Sequence, residues 1–98
     1  MKKEEIQHII DTAYPNIQKY YGKGKLDFPP IELHQDIYAR VSGIEDMEGE
    51  HSKSSEAQYE HHVNKIYIYY PNMVNEEHVI RSIIHEYTHY KQNTTTLS

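Results

Sequence analysis

His85 and His89 stand four residues apart, with Glu86 directly after the first, in the string His85-Glu86-Tyr87-Thr88-His89. On an α-helix, residues i and i+4 lie about 40° apart around the axis and about 6 Å apart along it. Two imidazoles so placed can reach one divalent cation from the same face. Glu86 is set slightly to one side of that pair, where a carboxylate reaches a water beside the cation rather than the cation itself. This H-E-x-x-H spacing lets two histidines ligate zinc while the glutamate serves as general base. The plain alternative is a solvated His/Glu face on an amphipathic helix. The surroundings of the motif have to separate the two.

The flanking residues predict the helix that the motif needs. Asn75 is a suitable N-cap, and Glu76 and Glu77 follow in the first turn, where the helix dipole favours negative charge. No Gly or Pro interrupts the run from Asn75 to Asn93, so a helix of about 17 residues is expected. At about 100° per residue, Val79, Ile80, Ile83, Ile84, Tyr87 and Tyr90 fall in one broad apolar arc. His78, His85, His89 and Gln92 line the opposite stripe. The arc can pack on a sheet while the histidines face a cleft. His78 shares the stripe but precedes His85 by about 10.5 Å along the axis, too far for a zinc–nitrogen bond of about 2.0–2.1 Å. Its expected role is that of a polar residue at the helix start.

Ninety-eight residues form one small domain. Only 37% are hydrophobic, and that figure includes ten tyrosines, so the core is thin and a bound metal or partner could contribute to its stability. The chain has no cysteine, which excludes disulfides and thiolate-ligated zinc and leaves His, Asp and Glu as metal ligands. A formal net charge of −5 argues against nucleic-acid binding, which needs clustered Lys and Arg. Lys19, Lys23 and Lys25 follow a helix end and read as solvation and dipole complement. No apolar run approaches the ~20 residues of a membrane span, and Met1 to Ile6 lacks the apolar stretch of a secretory signal. No membrane association and a cytoplasmic location are the resulting expectations; oligomeric state is not legible.

Upstream, Ile6, Ile9, Ile10, Ala13, Ile17 and Tyr20 recur at helical spacing and predict a first helix over Lys3 to Tyr21. Pro15 is expected to kink it, or to split it near Tyr14, and Gly22 and Gly24 to stop it. Asp27-Phe28-Pro29-Pro30 is a connector. Ile31 to Val41 alternates apolar and polar residues around a break at Gln35-Asp36, which fits one bent strand or a tight hairpin. Ser42 to Glu56, rich in Gly, Ser and acidic residues, reads as a mobile loop, either a solvated connector or a lid beside a cleft. Lys65-Ile66-Tyr67-Ile68-Tyr69-Tyr70 is the strongest strand signal. A turn at Asn64-Lys65 would give it a partner strand over Tyr59 to Val63. Thr94 to Ser98 is a polar tail.

This order of helix, strands and H-E-x-x-H helix resembles the minimal zincin metallopeptidase core. The likeness is most specific over residues 64–92, where a strand ending in Tyr-Pro leads to Ile83-Ile84-His85-Glu86-Tyr87-Thr88-His89-Tyr90-Lys91-Gln92. That string looks like the small bacterial and phage-type zincins whose motif is followed by Gln. The resemblance implies an α+β fold with an N-terminal helix, a small, mostly antiparallel sheet and a C-terminal motif helix. It also implies a Zn²⁺ cofactor on His85 and His89, Glu86 as general base on the zinc-bound water, and a peptide or protein substrate. An extended substrate could pair with the strand edge near Tyr59 to Tyr70, and a tyrosine could assist zinc in stabilising the oxyanion.

Catalytic zinc normally takes three protein ligands, and nothing after His89 in this chain is His, Asp or Glu. Three explanations stand. The ligand lies beyond Ser98, the chain being truncated at its C-terminus. Alternatively, it comes from upstream, as in peptide deformylases, with Glu60, His61, His62 and His51 as candidates; a strand there would let only one of His61 and His62 face the metal. Finally, a partner chain closes the site, or the site binds metal weakly and does no chemistry. In that last case the chain is a non-catalytic, zincin-like interaction or regulatory module.

Overall fold

A computed structural model describes residues 1–35 and 56–94. The elements run in the order α1 (Lys3–Tyr21), β1 (Ile31–His34), β2 (Ala57–Glu60), β3 (Lys65–Tyr69), a 3-10 turn at Tyr70–Asn72, and α2 (Glu76–Gln92). The fold is α+β. The sheet order is β1-β3-β2, with β3 parallel to β1 and antiparallel to β2. The expected mostly antiparallel sheet is therefore corrected to a mixed one. Only β2 and β3 are hairpin partners. β1 arrives from α1 through the connector and runs alongside β3, so Ile31 sits opposite Ile66 and His34 opposite Tyr69.

Helix α1 buries Ile6, Ile9, Ile10 and Ile17, the spacing its sequence predicted. It does not split at Tyr14. Pro15 removes one N–H from the ladder, but Asp11, Thr12, Pro15 and Asn16 are all exposed, so water can satisfy the carbonyl left behind. The helix ends at Gly22, whose φ of 83° suits a residue without Cβ. At the start, the Lys2 backbone N–H donates to Glu5 Oε1 at 2.8 Å.

Helix α2 starts as predicted. The Asn75 side chain accepts from the His78 N–H at 2.9 Å. His78 is buried, and its Nδ1 accepts the Val74 N–H at 3.0 Å while Nε2 lies 3.0 Å from a Glu56 carboxylate oxygen. It holds the helix entry, the role expected of it. Val79, Ile83, Tyr87 and Tyr90 are fully buried. Ile80 and Ile84, at the rim of the same arc, are only half-buried.

One core joins these faces. Ile6, Ile10 and Ile17 of α1 meet Ile66 and Ile68 of β3, Met73, and Val79, Ile83, Tyr87 and Tyr90 of α2. As the central strand, β3 is buried on both faces. Tyr67 and Tyr69 point away from the isoleucines, and Tyr67 meets the His34 ring edge-on at 4.7 Å.

Tyrosine hydroxyls compensate for the thin aliphatic core. Tyr14 OH donates to Pro29 O at 2.6 Å, Tyr87 OH to Gly22 O, and Tyr90 OH to Leu26 O at 2.6 Å. Tyr90 OH also accepts the Gly24 N–H at 2.8 Å. The connector between α1 and β1 thus has its backbone polar groups satisfied by side chains from the helices. Lys91 adds a cation at the end of α1, donating to Tyr21 O at 3.0 Å. Tyr90→Phe keeps the packing but strands Gly24 N–H and Leu26 C=O. It is expected to cost about 1–3 kcal/mol, read as a fall of at least about 4 °C in Tm; an unchanged Tm would refute the hydroxyl's role.

Between β1 and the central strand β3, Lys65 Nζ lies 2.9 Å from Glu32, and His34 Nε2, on β1 itself, lies 3.1 Å from it. Lys65 first, then His34, hold the Glu32 carboxyl below its ordinary 4.5. A carboxyl depressed in the folded state contributes stability above its unfolded value, lost as pH falls through the folded one. At this half-exposed site the contribution is under about 1 kcal/mol. Glu32→Gln should lower the urea midpoint slightly at pH 7 and leave it unchanged below the titration of Glu32; a constant difference at every pH would exclude the ion pair.

Candidate functional site

The predicted metal pair is presented on α2 as its spacing requires. The His85 and His89 rings lie with centroids 5.0 Å apart and planes near perpendicular. Both residues are exposed. Tyr87 and Tyr90, on the far side of the helix from the two histidines, anchor that segment in the core.

Glu86 departs from the simple wheel. It lies on the buried margin of α2, only 8% exposed, with a carboxylate oxygen 4.0 Å from His85 Nε2. Burial pushes its carboxyl up. The histidines oppose this, His85 more than His89, as does a hydrogen bond from the Tyr59 backbone N–H. That bond ties α2 to β2 beside the motif. It also uses one outward donor of β2, the edge to which an extended substrate was expected to pair.

An open cavity of about 430 Å³ lies against this margin, between α2 and β2. Glu86, His89, Gln92 and Asn93 form one wall, and Ala57, Gln58, Tyr59 and His61 the other. His85 lies on the exposed side of Glu86, outside this lining. The hydroxyl of Tyr59 donates to Asn64 Oδ1 at 2.6 Å and accepts from Asn93 Nδ2 at 2.8 Å. Its one proton is committed, so Tyr59 in this arrangement is not the oxyanion donor. Asn64 Nδ2 in turn donates to Asp27 O at 2.8 Å. This network was not legible in the sequence, because its members are 5 to 37 residues apart.

The hairpin corrects one sequence expectation. β2 ends at Glu60, and residues 61–64 are the turn, closed by the Glu60–Lys65 pair. Asn64 takes a φ of 55°, a conformation that Asn tolerates. His61 and His62 therefore do not alternate across a strand. Their rings lie 3.9 Å apart, centroid to centroid. Together with Glu60 they bring three ligand atoms within 4.8 Å of one another, and no other trio among the described residues does so. His61 thus lines the same cavity as His89, but no trio of ligands that close includes both among the described residues. His51, the remaining upstream candidate, lies outside the described residues, as do positions 36–55 of the strand and loop expectations.

Comparisons with protein-family models, with curated proteins and with solved structures returned no match. The chemistry rests on the residues themselves. No helix of the described residues is long and apolar enough to cross a membrane.

Proposed function

We propose that this chain is a zinc-dependent peptidase with a zincin-like site, in which His85 and His89 hold the metal and Glu86 is the general base. One observation carries it: two exposed imidazoles one turn apart flank a buried carboxylate at the edge of an open cavity. Among the described residues, no hydrogen bond to a protein group engages either ring. Two imidazoles with a nearby carboxylate suit a borderline dication such as Zn²⁺ better than Ca²⁺ or Mg²⁺, which prefer oxygen. A metal held there supplies Lewis acidity to a carbonyl and acidifies water.

The chain's own groups supply the rest. Glu86, raised by burial, is a stronger base than an exposed glutamate and takes a proton from the attacking water. It then hands that proton to the departing amine. Glu86 is buried in the wall of the cavity, close to the Tyr59 N–H of β2. A peptide or protein segment is the substrate class we assign to this open cleft, whose lining mixes polar and apolar surface.

The non-catalytic reading keeps support from the fact that, among the described residues, no third His, Asp or Glu groups closely with both His85 and His89, which leaves the helix pair one protein ligand short of the usual three. The test is cleavage of an unfolded protein by zinc-loaded chain, before and after chelation. Cleavage that disappears with the chelator and in His89→Ala supports the peptidase. A chain that takes up little or no zinc and cleaves nothing is the interaction module.

A further inference from the structure

We propose that the β2–β3 hairpin is itself a metal site, in which Glu60, His61 and His62 bind a divalent transition metal separately from His85 and His89. Three observations converge. First, one ligand atom from each residue already lies within 4.8 Å of the others. Four ligands around zinc at about 2.0–2.1 Å sit about 3.3 Å apart, so small rotations of exposed side chains close the set. Second, the turn, not a strand, carries both histidines, which is why neighbours in sequence can present imidazoles to one point. Third, the scaffold is braced. Asn64 bonds Asp27 O and Tyr59, and Asn93 Nδ2 reaches His61 O at 3.4 Å. The His62 N–H donates to Glu60 Oε1 at 3.3 Å, holding the carboxylate over the turn. Ligands on a braced element lose less freedom on binding.

Two imidazoles and one carboxylate select Zn²⁺, Ni²⁺ or Cu²⁺ rather than Mg²⁺ or Ca²⁺. Water completes the shell, since both histidines are exposed. His61 also lines the cavity that holds Glu86 and His89, so a metal here would stand at the mouth of that cleft.

The test is calorimetric titration of untagged protein with Ni²⁺. The parent chain should bind two equivalents. His61→Ala/His62→Ala and His61→Asn/His62→Asn should each lose one and keep the other. His85→Ala/His89→Ala should keep the hairpin equivalent. All of these positions are exposed, and far-UV circular dichroism confirms that each variant is folded. Unchanged stoichiometry in the hairpin variants overturns the proposal. So does loss of all binding in the hairpin variants and in the helix variant alike, which would mean a single shared centre. A parent that binds one equivalent, lost only with the hairpin histidines, upholds this site and counts against the helix centre, so the two readings fail separately.

Discussion

Glu86→Gln is expected to lower peptide hydrolysis by about 10²–10⁴-fold, the usual contribution of a positioned general base, while metal stays on His85 and His89. Glutamine keeps the shape of the side chain and can still accept the Tyr59 N–H, so the wall of the cavity is preserved. What is lost is the ability to take a proton from water. Stability provides an internal control. Burial raises the native carboxyl above its ordinary 4.5, so the metal-free native state binds more protons than the unfolded chain between the two values. Its stability therefore falls as pH rises through that window. Gln has no charge to bury, and the metal-free variant should be more stable than the parent at neutral pH. Initial rates with an unfolded protein substrate, together with thermal melts from acid to neutral pH, measure both effects. Full activity in the variant would remove Glu86 from the chemistry.

Ile83→Ala is expected to cost about 2–5 kcal/mol. Ile83 is fully buried among α1, β3 and α2, and it sits two residues before His85. A domain of this size has roughly 5–15 kcal/mol to lose in total, and each kcal/mol lowers Tm by about 4–8 °C. The variant should therefore unfold at much lower urea, or be unfolded at 37 °C. Ile84→Ala, one step round the helix at a half-buried position, should cost clearly less. Equal losses from the two would contradict the orientation of α2 on the sheet.

The extent of legibility differs by element. Both helices were readable because their apolar residues recur every three or four positions, and Asn75 marks the start of α2 by local hydrogen bonding alone. β3 was readable from its unbroken β-branched and aromatic run. The partner strand was misplaced by two residues at its start and three at its end. The turn depends on the left-handed Asn64 and on the Asp27 and Tyr59 contacts that hold it, and these come from distant parts of the chain. The parallel pairing of β1 was equally hidden, since strand direction in a sheet is decided by which element covers which face. The burial of Glu86 follows from the docking of α2 against β2, which a helical wheel omits.

The linear sequence by itself determined that two imidazoles and a carboxylate share one segment of α2, because a helix converts a spacing of four residues into adjacency without help from the rest of the chain. Only the tertiary structure decided what surrounds them: a buried Glu86 held by the Tyr59 N–H, a cavity whose far wall is β2, and a hairpin that gathers Glu60, His61 and His62 at its turn. Those relations depend on packing between segments far apart in sequence, and packing energies are set by three-dimensional shape rather than by local spacing.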